Sequence, residues 1–456
     1  MPTIGWLAQI LFALTFDAAG WRGVQILHGS LWAGGFAIAG LTAARYGNPE
    51  GRLSLFSLAV ALTLGSMAGW SNAMLRPQSF AVLCFALVML LVRRMPASPG
   101  SWLLLCLVAV LWQNTHPSVL IGMVAVGFLA AAAWLGRMLH QEGDAPWTLT
   151  IATLILALAQ LATPMGWNIF VVSATNLEVA RDWLRISEWM PPWDVKVRGA
   201  MHGFYLACSV SAVILIALKF RIRRLEWSLL IGMTALSLTA ARFVPFWAVA
   251  MIPLWTRWTE ILRRSRFFDG SARRSISPRG FGLFAALGCV AAVGMPSAVQ
   301  GPSEFLYSLD PCLKTLKALA PTGRIYNFRE WGGPLIFAGH PRWRVAIDGR
   351  LYNYSRQDWM NYNKAAMGRL SLRDIISEYH PDAFFLHPKF HRPLVAVIDK
   401  AESHTQVYQD ELCAIFVPRV SHPKNGLTDR QDAHSSAPNS HSLAPTARFS
   451  APPTGN

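Results

Sequence analysis

The sequence predicts a polytopic α-helical membrane protein of about ten or eleven hydrophobic helices, followed by a small α/β soluble domain and a disordered tail. Three observations carry that reading. Hydrophobic residues make up 53% of the 456-residue chain and charged residues only 14%, well below the roughly 25% charged of an ordinary soluble domain. Before Pro302 the sequence is one apolar run after another, broken by short basic or Pro/Gly-rich joints. After Pro302 the composition becomes that of a soluble protein, and after Ser421 it turns to Pro, Ser, His and Thr with almost no large apolar residues.

A helix crosses the hydrocarbon core with about 20 apolar residues. Runs that serve stand at 5–20, 24–44, 53–72, 77–93, 101–115, 117–136, 147–163, 201–220, 227–241, 243–258 and 280–300. Several are short and flanked by Trp or Pro, as expected of helices that end in interfacial aromatic belts. The run at 5–20 is 16 residues with Asp17 inside, so it reads either as a span or as a helix lying in the interface.

The formal charge of +16 does not indicate nucleic-acid binding. Basic residues gather where apolar runs end: Arg93–Arg94, Arg137, 219–224 and 263–279. That is the signature of cytoplasmic joints. The joints near 72–77, 114–117, 164–200 and 241–243 then face outward, and 302–420 follows on the same outer side. The longest, 164–200, holds amphipathic-looking sequence from Trp167 to Trp193 that suits an interfacial position. The expected domains are 1–300 in the membrane, 302–420 outside the cytoplasm and 421–456 unfolded.

Within 302–420, helices are expected at Pro311–Ala320, Ser355–Ala366, Leu372–Tyr379 and Arg392–Glu402. Strands are expected at Arg324–Phe328, Arg344–Ile347, Asp382–Leu386 and Glu411–Val417, with a Gly-opened turn or short helix at Trp331–Phe337. This alternation predicts a small, largely parallel sheet. The tail lacks the apolar content to fold. No phosphate-binding Gly loop follows a strand, so nucleotide binding is not indicated. Cys84, Cys106, Cys208 and Cys289 sit in apolar runs as small hydrophobes. Cys312 and Cys413 can pair if their domain lies outside the cytoplasm, and no cysteine has metal-ligand spacing.

Polar groups at the outer ends of membrane helices are the candidates for chemistry. They are Arg76 in Leu75-Arg76-Pro77-Gln78, Asn114 and His116 in Trp112-Gln113-Asn114-Thr115-His116-Pro117, and Arg242 between two apolar runs. Two arginines with an amide and a histidine suit an anionic head group such as a lipid phosphate, because the planar guanidinium matches phosphate oxygens. Singly, each also reads as a snorkelling anchor or a helix cap. Glu188 and Trp189, before Pro191-Pro192, offer a carboxylate and an aromatic platform for a sugar, or an interfacial anchor. In the soluble domain, Trp331-Gly332-Gly333 and Asp348-Gly349-Arg350 follow strands, where crevices form. Turn chemistry explains the same residues.

The ordered motifs Arg76-Pro77-Gln78, Trp112-x-Asn114-x-His116, Pro164-x-Gly166, Glu188-Trp189-x-Pro191, Trp331-Gly332-Gly333 and Asp348-Gly349-Arg350 resemble a group of bacterial membrane proteins. That group in turn resembles the GT-C glycosyltransferase superfamily. The resemblance spans most of residues 5–418. It implies transfer of a sugar from a polyprenyl-phosphate donor at the outer face of a bacterial inner membrane. In that class an acidic first outer loop supplies a general base or metal ligand, and basic residues hold the lipid phosphate. Here the expected first helix and acidic loop are missing, since Pro2–Gln9 already resembles the stretch after them. No catalytic residue is assigned: the carboxylates on hand are Asp17 and Glu188. No cofactor is firmly implied, with a divalent metal as the one candidate. Expected partners are membrane lipids, a polyprenyl-phosphate-linked sugar and, through 302–420, another protein. The alternative is a non-catalytic envelope scaffold whose soluble domain recruits that protein. A transporter is disfavoured by the absence of mid-span charge and repeat symmetry.

Overall fold

Why the apolar runs become helices is simple: they are rich in Ala, Leu and Gly-spaced apolar residues with few turn signals. The computed structural model describes residues 4–46, 54–93, 98–141, 145–264, 302–320 and 322–419. The run expected at 280–300, Arg94, the basic stretch 265–279 and the tail from 421 lie outside the described residues. The helices are α1 (Trp6–Tyr46), α2 (Leu55–Gly69), α3 (Gln78–Val92), α4 (Pro99–Thr115), α5 (Val119–Met138), α6 (Pro146–Ala159), α7 (Asn168–Glu178), α8 (His202–Ala217), α9 (Arg224–Thr239) and α10 (Val244–Arg264). Two of them, over Trp6–Ala44 and Val119–Met138, are long and apolar enough to cross a membrane. Gln78–Val92, Pro146–Ala159 and His202–Ala217 are shorter apolar helices.

Consecutive helices α2 to α6 and α8 to α10 alternate in direction, which gathers their joints at two ends. At one end Asn72 Nδ2 donates to the Ala241 carbonyl (3.2 Å), Gln78 Nε2 to the Arg242 carbonyl (3.1 Å) and Asn114 Nδ2 to the Ala162 carbonyl (2.6 Å). At the other, Ser57 Oγ donates to Glu260 (3.0 Å), Arg224 to Gln141, and Arg257 pairs with Glu226. The first end carries Arg76 and Arg242; the second carries Arg137, Arg223, Arg224 and Arg263.

The separate runs at 5–20 and 24–44 are one helix with a break at Gly20 (φ 61°, ψ −160°), a conformation glycine takes without the Cβ clash other residues suffer. The first half does not run the bundle's length. Trp6 Nε1 donates to Asn114 Oδ1 (2.7 Å), and Phe12 meets Phe80 at the start of α3 (5.5 Å). Beyond the break, His28 still meets the Ala73 carbonyl (3.2 Å). Residues 6–20 therefore lie across the Arg76 end.

The C-terminal part holds α11 (Pro302–Leu319), β1 (Gly323–Asn327), α12 (Gly332–Gly339), β2 (Trp343–Val345), α13 (Arg356–Ala366), α14 (Leu372–Tyr379), β3 (Ala383–Leu386), α15 (Arg392–Asp399), β4 (His404–Gln409) and β5 (Ala414–Pro418). The sheet order is β2-β1-β3-β5-β4. The first three strands are parallel, while β3–β5 and β4–β5 are antiparallel. The expected largely parallel sheet is thus corrected to a mixed one. The strand expected at Glu411–Val417 is β5, and it pairs with a further strand, β4, through a turn made by Asp410: its Oδ1 accepts the Leu412 and Cys413 N–H groups (2.7 and 2.6 Å). The helix expected to reach Glu402 ends at Asp399, because the chain must turn into β4. Cys312 and Cys413 are disulfide-bonded, tying α11 to the turn just before β5.

This domain does not float free of the helices. Val179 and Ala180, in the π-helical turn after α7, are buried in one apolar cluster with Tyr326, Ile347, Trp359 and Phe384. The Arg356 guanidinium lies 4.5 Å over the Trp183 ring. Phe337 of α12 meets Phe16 and Trp21 at the α1 break (5.6 and 5.8 Å). The 164–200 segment therefore meets the C-terminal domain through Val179, Ala180, Leu184, Ile186 and Trp189, and only Asn168–Glu178 of it is α-helical.

Candidate functional site

Four of the residues singled out in the sequence meet at one end of the bundle. Arg76 stands in the joint between α2 and α3, where Pro77 stops helix continuation backwards and leaves the arginine at the rim. Its Nη1 forms an ion pair with Glu188 Oε2; the side chains are 45% and 23% exposed. Glu188 and Trp189 sit in a 3₁₀ turn (Ser187–Trp189) that ends at Pro191-Pro192. Arg242 sits in the short turn between α9 and α10. Its guanidinium carbon lies 3.7 Å over the Trp189 ring, a cation–π contact. The two neighbouring segments are tied through backbone, Ala241 N–H donating to the Met190 carbonyl (2.9 Å). Burial lowers the Arg242 pKa to about 10, opposed by the Glu188 charge and helped by Arg76. Arg242 therefore stays cationic at neutral pH, as arginines do.

His116 belongs to the same electrostatic group. It lies in the joint between α4 and α5, and burial together with the Arg242 charge lowers its pKa to about 3. Trp112 Nε1 donates to Ser118 Oγ (2.9 Å), and Ser118 Oγ is 2.7 Å from His116 Nδ1. The hydroxyl, having accepted from the indole, donates to Nδ1, and the neutral ring then carries its proton on Nε2.

Asn114 is at this end but its amide is fully used. Its Oδ1 accepts from Trp6, and its Nδ2 donates to the Val110 (2.9 Å) and Ala162 carbonyls. It clamps the ends of α1, α4 and α6, which is the capping option rather than ligand binding. Asp17 is exposed on the first half of α1, beside the aromatic contact with Phe337.

In the C-terminal domain, the two Gly-bearing motifs come together for packing. A Cβ on Gly332 would lie 2.5 Å from the Ile347 carbonyl and 2.6 Å from Asp348 Cβ. Asp348 is buried and bound by its neighbour Arg350, whose Nε lies 2.9 Å from Oδ2. Trp331 is buried and stacked on His387 (5.4 Å). Turn and packing chemistry account for the positions of Trp331 and Asp348, while the Arg350 side chain stays 46% exposed. Among the described residues, the cluster with metal-ligating donors is Cys312, Asp410 and Cys413. Its two sulfurs are bonded to each other, which removes the thiolates a soft-metal site needs.

No protein-family model and no curated protein matches this chain. The site must be read from its own chemistry. Two residues near it escaped the sequence reading: His28 and Trp32, one turn apart on α1 and both buried. The signal was present, since a histidine inside an apolar run is expensive and needs a reason.

Proposed function

We propose that this chain is a multi-pass inner-membrane protein that holds the phosphate of a polyprenyl-phosphate-linked sugar at the outer face and acts as a GT-C-like glycosyltransferase. The observation that carries the reading is the convergence of Arg76, Arg242 and His116 with Glu188 and Trp189 at one end of the bundle. An anionic head group approaching that end meets two guanidinium groups. One of them is held only by a partly exposed carboxylate that a phosphate can displace. The leaving group of such a transfer is a phosphate, so fixed cations there stabilise developing charge.

Three further observations support the membrane placement. The outer face of α4 exposes Leu103, Leu104, Leu107 and Leu111, and that of α6 exposes Ile151, Leu154 and Leu158. Apolar surface this continuous suits lipid, not water. The end opposite Arg76 gathers the basic joints, as cytoplasmic ends do. The Cys312–Cys413 disulfide belongs to the domain packed at the Arg76 end, which fits an oxidising compartment.

The test is transfer from a polyprenyl-phosphate sugar in membranes carrying Arg76→Ala or Arg242→Ala. Both substitutions are expected to abolish it, and unchanged transfer in both overturns the assignment. A second reading, the non-catalytic scaffold, is favoured by one observation: Glu188, the carboxylate that meets the arginines, is held in an ion pair instead of standing free as a base. Retained lipid binding without any transfer by the wild-type chain would select it.

A further inference from the structure

Two buried polar atoms under the Arg76 joint lack partners. His28 Nε2 lies 3.2 Å from the Ala73 carbonyl. A carbonyl only accepts, so Nε2 carries the proton, and in that neutral tautomer Nδ1 is a bare acceptor. Among the described residues, His28 Nδ1 has no hydrogen-bond partner, and neither does Trp32 Nε1, an obligatory donor. Both side chains are buried, at 0% and 1% exposure. They stand at i and i+4 on one face of α1, with ring centroids 6.4 Å apart, as helix geometry requires. Native interiors rarely leave such atoms unsatisfied, and each instance asks for an explanation.

The pair has a defined complement. It offers one donor and one acceptor and no charge. A phosphate oxygen would meet a bare ring nitrogen; a cation would meet an N–H; an apolar group would satisfy neither atom. A hydroxyl has the matching complement, able to accept from the indole and donate to the imidazole. The place is also defined. Ala73 stands three residues before Arg76, and the adjacent Asn72 holds the Ala241 carbonyl beside Arg242. The orphaned pair therefore belongs to the frame that carries both arginines.

We propose that His28 and Trp32 form a hydroxyl-binding pair that takes a hydroxyl of the sugar on the lipid-linked donor. This rests on the lipid-phosphate reading above and extends it from the phosphate to the sugar. The experiment uses the full chain in lipid nanodiscs, titrated with undecaprenyl phosphate and with undecaprenyl-phosphate lipids bearing a hexose or a pentose. The wild type is expected to bind a sugar-bearing lipid about tenfold tighter than the bare phosphate, as one well-made hydrogen-bonding site allows. His28→Phe and Trp32→Phe should each keep the affinity for undecaprenyl phosphate and lose the sugar preference. Thermal melting checks that each variant is folded, and either folded variant suffices. A preference that survives in the folded variants overturns the inference while leaving the phosphate site standing: the pair then holds an ordered water only. A wild type that prefers no sugar in the panel also overturns it. Failure of the wild type to bind even undecaprenyl phosphate would be the failure of the phosphate reading itself, and the inference goes with it.

Discussion

The two ends of the helical bundle each join arginines to glutamates, yet they do so in opposite ways. At the basic end Glu226 is buried and both oxygens are occupied. Oε1 takes Arg257, while Oε2 accepts the Trp258 indole N–H (3.1 Å) and the Arg223 backbone N–H (3.2 Å). Glu260 is buried likewise, bound by Arg263 (2.8 Å) and Ser57. At the other end Glu188 and Arg76 are partly exposed, and Arg242 rests on an aromatic face instead of a carboxylate. A saturated, buried pair locks helices together. A partly open pair leaves cations that an incoming anion can claim. On the function proposed above, the same residue types serve structure at one end and recognition at the other, and the difference between the ends is their exposure.

Glu226→Ala should be the most damaging change, because it strands Arg257 and Trp258 in a buried setting. A loss of about 3–5 kcal/mol is expected for an orphaned buried ion-pair partner, read as a large fall in melting temperature. A variant that melts like wild type would erase the distinction between the ends. Acid should next weaken the C-terminal domain. Burial lowers the His391 imidazole to about 4 from its ordinary 6.5. Below pH 6.5 the unfolded chain therefore takes up the proton first. The stability held by neutral His391 is complete above pH 6.5 and is lost as pH falls from there to 4, reaching about 3 kcal/mol. Urea unfolding followed between pH 7 and 4 measures it, and His391→Gln should flatten the dependence. Gly332→Ala should destabilise the same domain by about 1–3 kcal/mol, since the added methyl meets the Ile347 carbonyl and Asp348 in a packed interior. The smallest effect is expected from Glu188→Gln. Removing the competing charge should tighten lipid-phosphate binding by roughly threefold, the scale of a partly exposed ion pair. Added salt should narrow that gap, as screening demands. A weaker-binding variant would mean that Glu188 helps the ligand instead of competing with it.

Much of the fold was legible because hydropathy is a one-dimensional signal. The ten apolar runs that fall on described residues all lie in helices, with the first two fused through Gly20. What hydropathy could not reveal was the direction of α1, since a φ of 61° at one glycine sends residues 6–20 across the end of the bundle. In the C-terminal domain the strand His404–Gln409 was missed because its residues are mostly exposed and polar. Its existence depends on the Asp410 turn and on pairing with β5, neither of which has a periodic pattern. The site was legible in part. Arg76, His116, Glu188 and Arg242 were singled out from the sequence and lie in one electrostatic group. Asn114 looked the same in sequence, but two of its three hydrogen bonds, to Trp6 and Ala162, reach segments distant in the chain. His28 shows the reverse, a single polar letter in an apolar run whose significance lies in an unsatisfied atom.

The most direct measurement is the affinity of undecaprenyl phosphate for the full chain in nanodiscs, wild type beside Arg242→Ala. Loss of the guanidinium over Trp189 is predicted to weaken binding at least tenfold, about 1.4 kcal/mol, with the melting temperature almost unchanged. Equal affinity in the two folded proteins would contradict the account, and would return Arg242 to the role of an interfacial anchor.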